Sequence, residues 1–144
     1  MTRGQIAIIT DEGILTSTEF NGDMYMPNRK WAGHGRRVVN ALKRVYDIAD
    51  YHYEVAKFNK DNHHYNDERI VFNHNGYEML NFEKNYFDNW FSDYVYIKNL
   101  TKAPKKLITQ KWDKDGNITG TTEIELQYNE IAVLYFGRLE FIKR

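Results

Sequence analysis

The stretch IAIITDEGILTSTEF, residues 6–20, decides how the rest of the chain is read. Two β-branched runs, residues 6–10 and 14–20, flank Asp11-Glu12-Gly13, and the glycine supplies the positive φ that a tight hairpin needs. The chain therefore opens with two antiparallel strands. Asn21-Gly22-Asp23 is a second turn signal, Met24 to Met26 reads as a short edge segment or loop, and residues 27–34 read as loop. From Val38 the pattern changes period. Val38, Leu42, Val45, Ala49 and Tyr53 recur every three or four residues, with Val39 and Tyr46 widening the stripe. This spacing predicts one helix from about residue 35 into the fifties, with a break near Asp50 where a second helix can be capped.

Beyond the helix the signals return to strand and turn. Residues 60–66, KDNHHYN, are turn-like, and strands are expected at 69–72 and 77–82 around His74-Asn75-Gly76. Phe87, Trp90, Phe91 and Tyr94 fit a helical face, whereas residues 94–100 alternate, so a short aromatic helix followed by a strand is expected. The remainder reads as β: residues 106–112, a turn at 113–117, then 118–126 and 131–142. Residues 132–136 are apolar on both faces, as in a central strand, with Gly137 marking a bulge or bend. The expected class is α+β, a single domain over residues 1–144 with a mainly antiparallel sheet packed against one long helix and a short aromatic helix.

Composition narrows the function classes. A chain of 144 residues with 42% hydrophobic and 28% charged residues is a globular domain that closes a core without staples. The absence of cysteine removes disulfides, thiolate zinc sites and cysteine nucleophiles, and suits a reducing cytosol. The early Asp11-Glu12 pair interrupts any secretory h-region and no later stretch is long enough to span a bilayer, so a cytoplasmic protein without membrane partners is expected. Net charge is zero but uneven: −3 over residues 1–23, +6 over 24–46, −6 over 47–93 and +3 over 94–144. That distribution argues against wrapping long nucleic acid, which wants a basic surplus, while leaving room for a local anion site. Abundant Lys, Asn, Ile and Tyr fit an AT-rich genome, such as that of a low-GC bacterium or its phage.

The candidate site is KWAGHGRRVVNAL, residues 30–42. A helix N-terminus already carries partial positive charge, so acidic residues are preferred in its first turn, yet here Arg36 and Arg37 open the helix. A bound anion reverses the sign of that cost. Gly33 and Gly35 let backbone amides approach a phosphate, Lys30 and His34 add donors, and Trp31 can stack on a base or sugar. The plain alternative is a solvated helix start, its arginines pairing with the acidic segment 47–93. The named phosphate fingerprints are absent, since Val38 stands where G-x-G-x-x-G requires its last glycine and no G-K-[ST] occurs.

Other constellations are weaker. Asp113-x-Asp115-Gly116 lacks the glycine and glutamate placement of a calcium loop and reads as a hairpin turn. His63, His64 and His74 with Asp61 and Asp67 lack the i, i+4 spacing of a metal template, so no metal and no cofactor is expected. Tyr86, Phe87, Trp90, Phe91, Tyr94 and Tyr96 read as core, or as the lining of a pocket or partner surface. If the initiator methionine is removed, Thr2 becomes N-terminal ahead of strand, turn and strand. That layout is similar to the N-terminal-nucleophile hydrolases, with Asp23 and Lys30 as supporting charges.

RGQIAI at residues 3–8, the DEG turn, a second strand, NGDMY at 21–25 and GHG at 33–35 before a helix together resemble small phage-encoded accessory proteins beginning R-G-x-I-A-I. Those proteins continue with an aromatic N/H-x-D-x-Y segment and a Gly-x-Gly helix entry. The resemblance covers roughly the first 45 residues, and FNGDMYM lacks the tryptophan and proline usual there. It implies phage origin and no particular activity. With no catalytic triad or metal signature, binding is expected over turnover. The expected function is a phage accessory protein of counter-defence type, acting in the host cytoplasm, that sequesters a phosphate-bearing nucleotide at Lys30, Trp31, Gly33, His34, Gly35, Arg36 and Arg37; a homo-oligomer fits such a site. The alternatives are an inhibitor that grips a host defence protein directly and, behind it, the Thr2 amide hydrolase.

Overall fold

The computed structural model describes residues 4–17, 33–61 and 93–143. The opening hairpin forms as its residues dictate: β1 (Gly4–Thr10) and β2 (Gly13–Thr16) pair antiparallel, with Ile8 opposite Leu15. Gly13 has φ 141°. Thr10 accepts the Glu12 amide and donates to the Gly13 carbonyl, closing the turn. Helices α1 (Gly33–Leu42) and α2 (Ile48–Asp61) follow, then β3 (Tyr94–Asn99), β4 (Lys105–Trp112), β5 (Ile118–Leu126), β6 (Ile131–Tyr135) and β7 (Arg138–Lys143). The architecture is α+β. A five-stranded sheet runs β2-β1-β3-β6-β7, and β4 with β5 forms a separate two-stranded ribbon. Among the described residues all strand pairs are antiparallel except β1 with β3, which run parallel with Ile6 beside Tyr96 and Ile8 beside Lys98.

The sheet is covered on both faces, so its central strand β3 buries every residue and β1 and β6 all but their half-buried Gln5, Thr10 and Tyr135. Tyr94, Tyr96, Ile6, Ile8, Ile131 and Val133 face the helices, where Val38, Val39, Leu42, Val45, Tyr51 and Val55 meet them. Val95, Ile97, Ala7, Ile9, Ala132 and Leu134 face the ribbon, which contributes Leu107 and Leu126. Each large apolar side chain so enclosed contributes about 1.5–3 kcal/mol, which is why β3 is buried along its whole length. Polar ties fix the ribbon. Asn99 donates to the carbonyls of Leu126 and Ala103 while accepting the Thr101 amide, and the Gln110 amide donates to Gly137 O.

The helical stretch is two helices, as the expected break implied, with the interruption at residues 43–47, a little before Asp50. The cap is Asp47, not Asp50: Asp47 Oδ1 accepts the Asp50 amide at 2.7 Å, and the Asp50 carboxylate accepts the Tyr46 amide at 3.0 Å. A cap of this kind is worth about 1 kcal/mol. The interruption resets the helical phase, so Tyr51 and Val55 face the sheet while Tyr53 and Ala49, expected inside, are exposed. A second correction concerns residues 131–142. These form two strands joined by a tight turn at Phe136-Gly137, with φ of 47° and 80°, where one bent strand was expected. The expected aromatic helix, the strands at 69–72 and 77–82, and the segment Met24–Met26 lie outside the described residues.

Candidate functional site

The candidate site is built on the start of α1. The helix begins at Gly33, so Gly33, His34, Gly35 and Arg36 are its first turn rather than a preceding loop. Four amides at a helix start lack partners within the helix, and the dipole gives that end partial positive charge. No acidic residue occupies the turn to offset it. Gly35 is buried, Arg36 half-buried and Arg37 exposed, while Val38 and Val39 pin the turn to the sheet. Arg36 falls within this first turn and Arg37 immediately follows it, where basic side chains oppose the helix dipole rather than complement it. Lys30, Trp31 and the His34 side chain lie outside the described residues.

Beneath the helix pair, a small apolar crevice of about 10 Å³ lies between α1, α2 and β1. Ile6, Val38, Leu42, Tyr51, Glu54 and Val55 are among its lining residues. Small-molecule pockets run about 300–1,000 Å³, so this crevice does not hold a nucleotide. Its one carboxylate is already committed. Glu54, with 8% of its side chain exposed, accepts both Arg44 Nε at 2.9 Å and Arg44 Nη2 at 3.0 Å across the helix break. The Glu54 hydrogen bond raises the Arg44 pKa, desolvation opposing it. Burial likewise pushes the Tyr51 phenol far above its ordinary value, with a Ser17 hydrogen bond opposing.

Lys98 is the least expected feature of this region. Its position on β3 turns it toward the helices, where it is 1% exposed. Its Nζ donates to the Leu42 carbonyl at 2.6 Å and lies 5.0 Å from the centre of the Tyr46 ring. A cation at the last carbonyl of a helix complements the dipole, so Lys98 caps α1. Burial lowers its pKa to about 8, with Lys143 adding to the shift and Asp50 opposing it. The alternation of residues 94–100 placed Lys98 on the same face as Tyr94 and Tyr96, a signal that could have found it. No signal pointed to the Arg44–Glu54 pair, ten residues apart across a helix break.

The remaining constellations resolve simply. Asp113 Oδ1 accepts the amides of Asp115 and Asn117, both at 2.9 Å, so its carboxylate serves the hairpin turn. Tyr94 and Tyr96 are core, as expected. Thr2, Asp23, His63, His64, His74, Asp67, Tyr86, Phe87, Trp90 and Phe91 lie outside the described residues, as does the side chain of Asp61. Among the described residues no group of three or more His, Asp or Glu side chains could hold a metal, and no helix is long and apolar enough to cross a membrane. Comparisons with protein-family models, with curated proteins and with solved structures find no match to this chain.

Proposed function

We propose that this chain is a phage accessory protein of counter-defence type, acting in the host cytoplasm, that sequesters a phosphate-bearing nucleotide at the start of α1. One observation carries the reading: a ten-residue helix opens on Gly33, Gly35, Arg36 and Arg37 with no acidic residue in its first turn. Cationic side chains and helix-start amides that meet at one end of a helix are the groups that bind a phosphate. The phosphate is placed on the first-turn amides, Arg36 and Arg37 supply charge-assisted hydrogen bonds, and Lys30, His34 and Trp31 complete the contacts to phosphate and base. A homo-oligomer encloses the nucleotide in this reading. The resemblance of the first third of the chain to phage proteins supports the source.

The test is a thermal-shift screen against linear and cyclic nucleotides with the wild type and with Arg36→Ala and Arg37→Ala. A nucleotide at one hundred times its Kd stabilises by about 2.7 kcal/mol, or roughly 5–10 °C for a domain of this size. Stabilisation that each substitution reduces supports the site; stabilisation that survives both removes it. A second reading, direct binding of a host defence protein, is favoured by Tyr46 and Tyr53. These are 61% and 67% exposed on the interhelix segment and α2, and tyrosines of this kind are enriched at protein interfaces. Capture of a host protein that is lost in Tyr46→Ser and Tyr53→Ser, with no nucleotide shift, selects it.

A further inference from the structure

The turn that joins β6 to β7 carries a second arrangement, independent of α1. Phe136 and Gly137 both have positive φ, as the tightest hairpin turn requires. Gly137 is well suited to it, since a Cβ there would come within 3.0 Å of Gln110 Oε1. Phe136 is not suited, because a bulky L-residue rarely adopts the left-handed conformation. Its ring is nonetheless held there, 49% exposed, edge-on to Tyr135 at 4.7 Å and 6.3 Å from Trp112 at the end of β4. Trp112 and Tyr135 are 6.4 Å apart, so three rings wall one corner of the surface.

A cation already fills it. The Arg138 guanidinium carbon sits 4.9 Å from the centre of the Trp112 ring and 6.0 Å from that of Tyr135. Arg138 Nε donates to Glu140 Oε1 at 3.0 Å, and Nη2 reaches the same oxygen. The corner is pre-built: the Gln110 amide holds Gly137 O at 2.9 Å and Gln110 Oε1 accepts the Trp112 indole N–H at 3.3 Å. Aromatic faces plus one carboxylate are the chemistry that recognises guanidinium and alkylammonium groups. Arg138 is 41% exposed in this position, so the seat is open to exchange with solvent.

We propose that the Trp112–Tyr135–Phe136 corner, with Glu140 as counter-charge, is a recognition site for an external guanidinium or quaternary ammonium group, and that Arg138 occupies it in cis until displaced. The strained Phe136 packs against both rings that hold the cation and buttresses the seat. The test titrates the full chain and its Arg138→Gln variant with choline, with acetyl-arginine amide and with 3,3-dimethylbutanol, the uncharged isostere of choline, following the Trp112 indole N–H by NMR. Trp112→Phe identifies that signal by its loss. Choline should bind Arg138→Gln about tenfold more tightly than the wild type and about tenfold more tightly than the isostere does, the scale of one cation–π contact with its counter-charge. Adding Glu140→Gln should weaken both cations severalfold. A preference for acetyl-arginine amide assigns the seat to a protein side chain, and a preference for choline to a small quaternary amine. Equal response to choline and its isostere, or none to either cation, overturns the proposal. Should Arg138→Gln lack the wild-type circular dichroism, the wild type is titrated at about tenfold higher concentration, and absence of the choline preference there overturns it equally.

Discussion

Burying the Lys98 ammonium makes stability rise with pH, the reverse of a lysine that gains an anionic partner on folding. Lysine ordinarily titrates near 10.5, and burial brings Lys98 to about 8 in the folded protein. Below pH 8 both folded and unfolded chains hold the proton, and the fold carries the full penalty of the buried charge. Between 8 and 10.5 the unfolded chain keeps a proton that the folded chain has released, so stability rises with pH through that window. At about 1.4 kcal/mol for each pKa unit the Lys98 contribution grows by about 2 kcal/mol from pH 7 to pH 10. Tyr94, raised to about 12 by burial and by Glu140 and Tyr135, acts oppositely: the folded chain holds the phenol proton longer, and stability is lost as pH rises above 10. Comparison with Lys98→Met cancels that second effect, since both proteins share Tyr94. Urea unfolding of the pair at pH 7, 8, 9 and 10 should show the wild type gaining on the variant by about 2 kcal/mol. A difference that stays flat, or falls, refutes the reasoning.

Three further outcomes follow from single contacts. Arg44→Ala strands the buried Glu54 carboxylate beside an apolar crevice and should cost about 2–4 kcal/mol in urea unfolding, whereas Glu54→Leu with Arg44 left in water should cost far less. Asp47→Ala removes the α2 cap and should cost about 1 kcal/mol with the β-sheet signal unchanged. Phe136→Asn places the preferred Asn-Gly pair in the β6–β7 turn, and should raise stability by up to about 1 kcal/mol while removing one wall of the aromatic corner.

The parts of the fold that local chemistry determines were readable. Asp11-Glu12-Gly13 between β-branched runs, and Asp113 to Asn117 between alternating ones, each specify a turn within a few residues. The parallel pairing of β1 with β3 was not readable, because it joins Gly4 to Tyr94 across the chain and leaves no mark in either strand's pattern. The helix stripe misled for a related reason. Val38 to Val45 and Ile48 to Val55 each have helical spacing, but the five-residue interruption shifts one against the other, so Tyr53 fitted the period and still faces solvent. Phe136 hid its turn, since phenylalanine is a poor indicator of positive φ. Of the candidate site, Gly33, Gly35, Arg36 and Arg37 were visible from charge placed against the helix dipole. Lys98 was legible from the alternation that sets it on the face of Tyr94 and Tyr96, whereas Arg138 was not, because its stacking on Trp112 joins strands distant in sequence.

The most direct test of the anion-binding account is calorimetric titration of the nucleotide that gives the largest thermal shift, into the wild type and into the Arg36→Ala/Arg37→Ala double variant. The account predicts that affinity falls at least about tenfold in the variant, two charge-assisted hydrogen bonds being worth more than that factor. It also predicts that inorganic phosphate competes in the wild type. Equal affinity in the two proteins contradicts it.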